Sequence, residues 1–369
     1  MRTRLWRHFD VILLVATLLL IGYGVAMIYS AISDSPGLQE LPERQAIYAG
    51  VGLVIMFMLV WIDYRMMLDF QHLLYIVSLA LLAVVLIIGG VTYGSQRWLD
   101  LGAFPIQPSE IAKLLLIVTL AAYFARRQEE ITSFRTFAFS LLYIMPPMAL
   151  IFLQPDLSTG LSLGVLWVVM AFVAGVRMRY MFGLGFAGIL ASPLVWTLMA
   201  DYQRQRILIF IDPASDPAGS YNIDQALISI GSGGLFGKGF ALGSQSQLRF
   251  LRVRWSDFIF SVIGEELGMA GIVVLFILFA IVIWRLFTDA EKARDMFGQL
   301  VITGVATLIL FQVTINVGMN LGVMPATGIP LPFVSSGGSS LMTLMIAQGL
   351  VQSINLRRQK IEYPLASRV

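Results

Sequence analysis

Long apolar runs alternate with short charged or Gly/Pro-rich breaks along the whole chain. A helix needs about 20 apolar residues to cross a bilayer, and the pattern predicts about ten such segments. The segments cover roughly residues 10–31, 46–62, 72–89, 109–125, 136–153, 159–175, 180–199, 257–286, 297–320 and 336–356. The sequence therefore predicts an all-α polytopic membrane protein with about ten transmembrane helices, built as a single integral membrane domain over residues 1–369.

The composition supports this class and narrows the chemistry. Of all residues, 58% are hydrophobic and only 13% are charged, against about 25% charged in soluble proteins. The chain has no cysteine, which excludes disulfides, thiolate metal sites and a thiol nucleophile. It has only two histidines, His8 and His72, so we expect no histidine metal site or proton relay. Any catalytic acid or base should therefore be Asp or Glu.

The basic residues fall on one side of the predicted helices. Arg65, Arg126 and Arg285 are examples, and the positive-inside rule assigns that side to the cytoplasm. An even number of spans then places both termini in the cytoplasm. The small net charge of +3 is thus explained by membrane orientation, and no nucleic acid partner is expected. The largest extracytoplasmic loop is predicted at residues 200–256, between helices 7 and 8.

The eighth segment begins with three carboxylates, Asp257, Glu265 and Glu266. Ionisable groups at a bilayer boundary are costly, so they are functional candidates by default. A continuous helix would place Glu265 and Glu266 near the outer headgroups and Asp257 about 12 Å above Glu265. Ser261 and Gly268 would share the face of Asp257. We therefore expect the chemistry of this protein at the start of the eighth segment.

Two charged motifs lie in or beside the predicted outward loop at 90–108. Arg97 and Trp98 lie in the loop, and Glu110 and Lys113 are three residues apart at the next helix start. One interpretation is a structural ion pair between Glu110 and Lys113. The other is an anion site, in which Arg97 and Lys113 face a lipid diphosphate. Trp98 alone would be typical of an interfacial anchor.

Three further outward segments carry candidate residues. Gln154 and Asp156 lie in a short turn, where Asp156 either caps the next helix or contacts a substrate. Lys238 lies near the end of the glycine-rich run 231–239. This run favours either phosphate contact or a compact surface loop. The Pro- and Gly-rich run 325–340 predicts a rigid non-helical loop folded against the protein.

Six motifs, in this order along nearly the whole chain, resemble the SEDS (shape, elongation, division and sporulation) family of bacteria. The motifs are Gly-Ser-Gln-Arg-Trp at 94–98, Gln-Pro-Ser-Glu-Ile-Ala-Lys at 107–113, Gln-Pro-Asp-Leu-Ser-Thr at 154–159, Ile-Gly-Ser-Gly-Gly-Leu-Phe-Gly-Lys-Gly at 230–239, Ser-Asp-Phe-Ile-Phe-Ser-Val-Ile-Gly-Glu-Glu-Leu-Gly at 256–268 and Gly-Ile-Pro-Leu-Pro-Phe-Val-Ser-Ser-Gly-Gly-Ser-Ser at 328–340. Phe9-Asp10 and the run 243–248 are most similar to the elongation members, and the division members are also close.

The resemblance implies a peptidoglycan glycosyltransferase that polymerises lipid II on the outer face of the bacterial cytoplasmic membrane. It also implies that Asp257 is the essential aspartate of the family and that a class B penicillin-binding protein transpeptidase is a partner. The chain departs from the family pattern in two places. Arg252-Val253 replaces Pro-Glu, and Ser336 replaces Tyr.

The expected mechanism is an attack by the 4-hydroxyl of an acceptor N-acetylglucosamine on the anomeric carbon of a lipid-linked donor, with inversion. Asp257 would be the general base, and Arg97, Lys113, Arg206 or Lys238 would steady the diphosphate, which leaves without being protonated. A divalent cation, Mg or Mn, is a further expectation. The residues predicted to contact the substrate are Arg97, Trp98, Glu110, Lys113, Gln154, Asp156, Arg206, Lys238, Ser261 and Ser335.

Two other functions compete with the enzyme. Ten spans with intramembrane charge and Gly/Pro-interrupted helices are also typical of a transporter, here a lipid II flippase. A flippase needs a polar path through the bilayer, whereas the cytoplasmic halves of most segments are uninterrupted apolar sequence. The third alternative is a non-catalytic scaffold for the transpeptidase, for which a carboxylate at Asp257 would be unnecessary.

Overall fold

The structure is a computed structural model that describes residues 8–35, 37–88, 90–92, 95–100 and 105–358. Its helices are α1 (Val11–Ile32), α2 (Leu41–Trp61), α3 (Met66–Asp69), α4 (Gln71–Ile88), α5 (Pro108–Ala125), α6 (Phe134–Leu153), α7 (Leu157–Ala174), α8 (Met178–Leu198), α9 (Asp201–Ile211), α10 (Pro217–Ser232), α11 (Ser244–Gln247), α12 (Ile259–Glu291), α13 (Met296–Asn320) and α14 (Gly338–Leu356). Three short strands, β1 (Gly90–Thr92), β2 (Ser95–Asp100) and β3 (Pro105–Ile106), lie between α4 and α5.

Each of the ten predicted segments coincides with a helix. In the described part of the chain, eight helices are long and apolar enough to cross a membrane. The other two segments fall on α4, where the apolar stretch is Gln71–Ile87, and on α14. Most of α14 is buried, including Gln348 and Gln352, so this helix packs against protein more than against lipid. The prediction of a polytopic, α-helical, multi-pass membrane protein is confirmed.

Two local features differ from the sequence prediction. The segment between α4 and α5 forms a small antiparallel sheet in the order β1-β2-β3. The segment 200–256, predicted as a loop, contains α9, α10 and α11. The sequence did carry a signal for α10, because the Asp216 carboxylate accepts from Gly219 N at 3.0 Å and Pro217 occupies the first turn. The hydrogen bond from the Gly219 amide, together with the one from the Gln205 side chain, lowers the pKa of the Asp216 carboxyl.

Helices α5 and α13 form the centre of the bundle. Both are buried along most of their length, and α13 packs against α5, α7 and α12. By contrast, none of the residues of α8 is buried. A helix that is apolar all round and buried nowhere is stable only in lipid, so α8 lies at the periphery. The central pair brings the start of α5 and the end of α13 to the same end of the bundle, where the candidate residues gather.

Helix α12 is interrupted at Gly268, which has φ 65° and ψ −160°. The carbonyls of Glu265 and Glu266 accept from the amides of residues 238–239, each at 3.0 Å. The amides of residues 269–270 donate to the carbonyls of residues 234–235 at 2.9 and 3.0 Å. Backbone groups within a membrane protein must find partners. The glycine-rich segment 233–240 therefore supplies the hydrogen bonds that the interruption removes from the helix.

Glu265 and Glu266, predicted to lie near the outer headgroups, are enclosed by protein in the structure. Both side chains are fully buried. Glu265 pairs with Lys238 Nζ at 2.9 Å and accepts from Gln245 N at 2.9 Å. Glu266 accepts from Ala241 N at 3.1 Å. Buried carboxylates are tolerated when they are paired and hydrogen-bonded, and these two hold the segment 233–247 against α12.

Replacement of Gly237 by Ala should destabilise the protein. A Cβ at Gly237 would lie 2.1 Å from the Glu266 carbonyl oxygen, and the residue has φ +78°. Overpacking and backbone strain together should lower the free energy of unfolding by about 2–4 kcal/mol. Gly22→Ala in α1 is the control, because its Cβ would meet no atom within 4 Å. The measurement is the thermal unfolding midpoint in detergent, and equal midpoints for the two variants would contradict this account of the segment 233–240.

Candidate active site

Asp257 lies in the turn that leads into α12, two residues before the helix begins at Ile259. It is therefore not on the helical face with Ser261 that the sequence predicted. Its main-chain carbonyl accepts from the side-chain amides of Asn316 and Asn320, each at 3.0 Å. Its partly buried carboxylate accepts from Ser256 Oγ at 3.0 Å. The backbone is thus fixed to α13, while the carboxylate keeps acceptor capacity for a substrate.

The loop between α13 and α14 packs directly against this turn. Ser335 Oγ donates to the Ser256 carbonyl at 2.7 Å and accepts from Leu331 N at 2.8 Å. Ser336 N donates to the carbonyl of Trp255 at 2.9 Å. The predicted rigid non-helical loop is present, and its hydrogen bonds use the two residues that precede Asp257. Ser336 contributes through its main chain, which a tyrosine could supply equally well.

Arg254 anchors the same turn from its other side. Its buried guanidinium donates to the Ala31 carbonyl at the end of α1 and to Ser35 Oγ, the latter at 2.6 Å. Burial lowers the pKa of Arg254. Arg252 is exposed, and Val253 takes a left-handed conformation with φ 52°. The change from Pro-Glu to Arg252-Val253 therefore adds one cation, Arg252, at the surface. The neighbouring Arg254 is a structural cation that holds the turn.

A small polar cavity is bordered by the 327–330 segment. Its volume is about 40 Å³, and it is lined by the side chains of Glu110, Lys113, Asp156 and Gln312. Lys113 Nζ donates to Glu110 Oε1 at 2.7 Å, and both side chains are buried. Among the described residues, neither polar atom of the buried Gln312 amide has a partner. Such a group favours a site that takes up a polar ligand or water.

Gly328 connects the cavity with the carboxylate. It lines the cavity, and a Cβ placed on it would lie 3.5 Å from Asp257 Oδ2. The residue has φ +70°, which favours glycine. The adjacent Ile329 carbonyl accepts from Asn316 Nδ2 at 2.8 Å. Gly328 thus borders both the polar cavity and the Asp257 carboxylate.

An apolar groove of about 230 Å³ opens next to the cavity. It is lined mainly by Leu157, Leu161, Ile207 and Pro325, with Arg206 at its polar edge. Arg206 Nη1 donates to the carbonyls of residues 326 and 327 at 3.1 and 3.4 Å. The groove and the cavity share Ser158 and Thr327. An apolar chain and a polar head could therefore lie side by side here.

Burial raises the pKa of the Asp257 carboxyl above its ordinary value, and the Ser256 hydrogen bond and the Arg206 charge offset part of this rise. A carboxylate with a raised pKa is a stronger base than an ordinary aspartate. Groups shifted by burial next to a cation are typical of functional sites. The arrangement can accept a proton from a hydroxyl while Arg206 stabilises nearby negative charge.

The structure brings five of the predicted site residues together, namely Glu110, Lys113, Asp156, Arg206 and Asp257. Asp156 also caps α7 by accepting from Thr159 N at 3.1 Å, so its helix-cap interpretation holds. The side chains of Arg97 and Trp98 lie outside the described residues. The other four candidates are bonded to protein groups, which are the Leu82 carbonyl for Gln154, Glu265 for Lys238, Asn320 for Ser261 and the Ser256 carbonyl for Ser335.

Three site residues on α13 were not predicted. Gln312, Asn316 and Asn320 lie four residues apart in an otherwise mostly apolar helix, so they share one face. Polar side chains at this spacing within a span are a functional signal that the sequence offered. Gly328 and Thr327 lie in the predicted non-helical run 325–340, and nothing local distinguishes them from their neighbours.

A protein-built metal site is not formed by the described residues. No group of three or more His, Cys, Asp or Glu side chains gathers anywhere in that part of the chain. Glu110 is paired with Lys113, which leaves isolated carboxylates at the site. A Mg or Mn ion bound to a diphosphate needs only one or two protein carboxylates, so the expected cation stays a prediction.

Comparison with known proteins identifies the family of this chain. Residues 11–360 match the FtsW/RodA/SpoVE family of cell cycle proteins. The peptidoglycan glycosyltransferase MrdB of Escherichia coli K12 is 39% identical over 359 residues, covering 96% of this chain and 95% of that protein. The stage V sporulation protein E of Bacillus subtilis 168 is 38% identical over 355 residues, covering 94% and 96%.

Two solved structures are similar over almost their full length. The rod shape determining protein RodA of Thermus thermophilus has a TM-score of 0.72 and 32% identity, covering 95% of this chain and 98% of that one. A chain from a structure described as the coordination of polymerization and crosslinking by a peptidoglycan synthase complex has a TM-score of 0.83 and 33% identity, covering 95% and 99%. The resemblance drawn from the sequence motifs is confirmed.

The buried pair of Glu110 and Lys113 generates a stability prediction. Lys113→Met should lower the free energy of unfolding by about 3–5 kcal/mol, because it leaves Glu110 buried and uncompensated. The double variant Glu110→Gln/Lys113→Met should recover most of that loss. Arg44→Met is the control, because Arg44 and Glu40 form an exposed pair of nearly equal length, 2.8 Å, worth less than about 1 kcal/mol. Thermal unfolding in detergent measures all three, and a double variant as unstable as Lys113→Met would contradict the pairing argument.

Proposed function

The chain belongs to the FtsW/RodA/SpoVE family of cell cycle proteins and is a peptidoglycan glycosyltransferase, and we propose that it polymerises lipid II with Asp257 as the general base. The observation that carries the proposal is the state of the Asp257 carboxylate. Helix α13 holds the main chain of this residue, and burial raises the pKa of its carboxyl. The Arg206 cation acts electrostatically on this carboxylate and also borders an apolar groove. A cation and an apolar groove are the two features that a lipid-linked diphosphate requires.

The proposed reaction is a single displacement. Asp257 takes the proton from the 4-hydroxyl of the acceptor N-acetylglucosamine as that oxygen attacks the anomeric carbon of the donor. The new carbon–oxygen bond forms with inversion while the bond from the anomeric carbon to the diphosphate oxygen breaks. The diphosphate leaves as an anion, so a second carboxylic acid is unnecessary. The proposed reaction therefore needs only one carboxylate base, and Asp257 supplies it.

We assign the stabilisation of the departing diphosphate first to Arg206. Its guanidinium borders the apolar groove and acts electrostatically on Asp257. Lys113 and Lys238 are each engaged by a buried glutamate, Glu110 at 2.7 Å and Glu265 at 2.9 Å. In this proposal, the groove beside Arg206 holds the start of the lipid tail. The polar cavity around Lys113 and Gln312 then receives polar groups of the sugar or diphosphate.

We further propose that a class B penicillin-binding protein transpeptidase is the partner of this chain. The similar peptidoglycan synthase complex, described as coordinating polymerization and crosslinking, supports such a pairing. Polymer formation by the purified chain without a partner separates catalysis from scaffolding. A chain that yields glycan only through the active site of its partner would be a scaffold.

Asp257→Asn should strongly slow the polymerisation of lipid II without unfolding the protein. Removal of a general base should reduce the rate by about 10²- to 10⁴-fold. Asp201→Asn is the matched control, because the carboxylate of Asp201 is exposed and its ion pair with Arg204 is long, at 3.6 Å. The measurement is glycan strand formation by protein purified in detergent. Wild-type rates for a folded Asp257→Asn variant would refute the role of Asp257.

The raised pKa predicts opposite trends for activity and stability. Asp257 acts as a base only when ionised, so activity should fall as the pH is lowered through its raised pKa. The folded carboxyl holds its proton more tightly than the unfolded one, so stability should fall as the pH rises from the ordinary to the raised pKa. Asp257→Asn should therefore melt no lower than wild type at neutral pH. Unfolding midpoints of the two proteins across this pH range test the sign, and a variant that is less stable at neutral pH contradicts it.

A further inference from the structure

A second groove lies at the opposite end of α5 from Glu110 and Lys113. It has a volume of about 330 Å³ and is formed between α4, α5 and α6. The side chains that shape it are Tyr75, Tyr123, Tyr143, Phe139, Leu142 and Arg127. It adjoins a wider cavity of about 1020 Å³, with which it shares Gln71, His72 and Arg127. The arginine distribution assigns this end of the bundle to the cytoplasm.

The wall of the groove is a fixed aromatic stack. Tyr75 of α4 and Tyr143 of α6 are stacked with ring centroids 4.1 Å apart, and Tyr123 of α5 lies 5.5 Å from Tyr143. The hydroxyls of Tyr75 and Tyr123 donate to the carbonyls of Tyr143 and Thr136 at 2.7 and 3.0 Å. The rings therefore present apolar surface. Leu142, whose side chain is exposed, continues this surface toward the lipid.

The polar edge of the groove is positive. The Arg127 guanidinium lies 4.1 Å from the ring centroid of Tyr123. Among the described residues, the Arg127 side chain donates only to the main-chain carbonyl of Tyr123, at 3.5 Å. Most of its five N–H donors are therefore available. His72 adds an imidazole, and no carboxylate is present among the described residues that line this groove. Glu129 and Glu130 border only the wider outer cavity and are exposed to water.

We propose that this groove binds an anionic phospholipid of the cytoplasmic leaflet. The phosphate contacts Arg127 and His72, and an acyl chain lies along Tyr75, Tyr143 and Leu142. Basic pockets between helices at this side of a membrane take anionic headgroups, because the leaflet is rich in them. The aromatic wall gives no binding energy to inorganic phosphate, so the ligand is a lipid. This site is independent of the proposed glycosyl transfer.

Occupancy should clamp three helices together. Tyr75, Tyr123 and Tyr143 come from three different helices, so one acyl chain contacts α4, α5 and α6 at once. A ligand that binds only the folded state raises the unfolding temperature. Helix α5 also carries Glu110 and Lys113 at its other end, so the clamp would restrain the helix on which the polar cavity is built.

The test uses the full chain purified in detergent and titrated with dioctanoyl phosphatidylglycerol, with binding read from the shift of the unfolding midpoint. Arg127→Gln should weaken binding by about fivefold, the contribution of one basic side chain near a membrane surface. Leu142→Trp should weaken it similarly by filling the groove while Arg127 stays in place. Arg179→Gln is the matched control, because Arg179 also lies over a tyrosine, Tyr180 at 4.8 Å, but does not line the groove.

The outcomes are distinguishable. The proposal requires that wild type and Arg179→Gln bind the lipid equally and that both groove variants bind it more weakly. An equal shift with dioctanoyl phosphatidylcholine would show that the anionic headgroup is irrelevant and would overturn the proposal. An equal shift with inorganic phosphate would mean a phosphate site without a lipid, and would also overturn it. So would wild-type affinity in Leu142→Trp, because the acyl chain would then lie elsewhere.

Discussion

Two buried amides decide where the candidate base stands. Asn316 and Asn320, one turn apart on α13, both donate to the main-chain carbonyl of Asp257. Ser261 donates to the Asn320 side-chain oxygen at 2.6 Å, which fixes that amide from the opposite side. The main-chain carbonyl of Asp257 makes the contacts that hold this turn against α13, so the carboxylate is not needed for packing. A partly buried acidic group with unused acceptor capacity is costly to folding, which supports the proposed chemical role of Asp257.

The sequence predicted the helices well because bilayer thickness acts on each segment separately. Hydropathy alone located all ten segments. The charges at a span boundary pointed to the start of α12, and the family resemblance selected Asp257 among them. The sequence could not predict the break at Gly268 or the burial of Glu265 and Glu266. Those features depend on the segment 233–247, which lies about 20 to 30 residues earlier in the chain and pairs with α12 only in the folded protein.

The charged members of the candidate site were predictable, whereas its α13 amides and its arrangement were not. Glu110 and Asp156 were recognisable as charged residues at helix starts, yet their common cavity with Gln312 arises from the packing of α5, α7 and α13. Lys238 looked like a phosphate contact because its loop is rich in glycine. The structure shows a different use for those glycines, since Gly233 and Gly237 lie too close to the α12 backbone for any side chain. Local composition does not distinguish these two uses.

The central claim is that one carboxylate, whose main chain is held by α13, meets the sugar that is to be joined. An experimental structure of the protein with a non-reactive lipid II analogue in the acceptor position measures this directly. The account predicts that an Asp257 carboxylate oxygen lies within roughly 2.6–3.2 Å of the acceptor 4-hydroxyl, with the lipid tail entering beside Arg206. A sugar bound elsewhere, or a 4-hydroxyl facing another side chain, would contradict it.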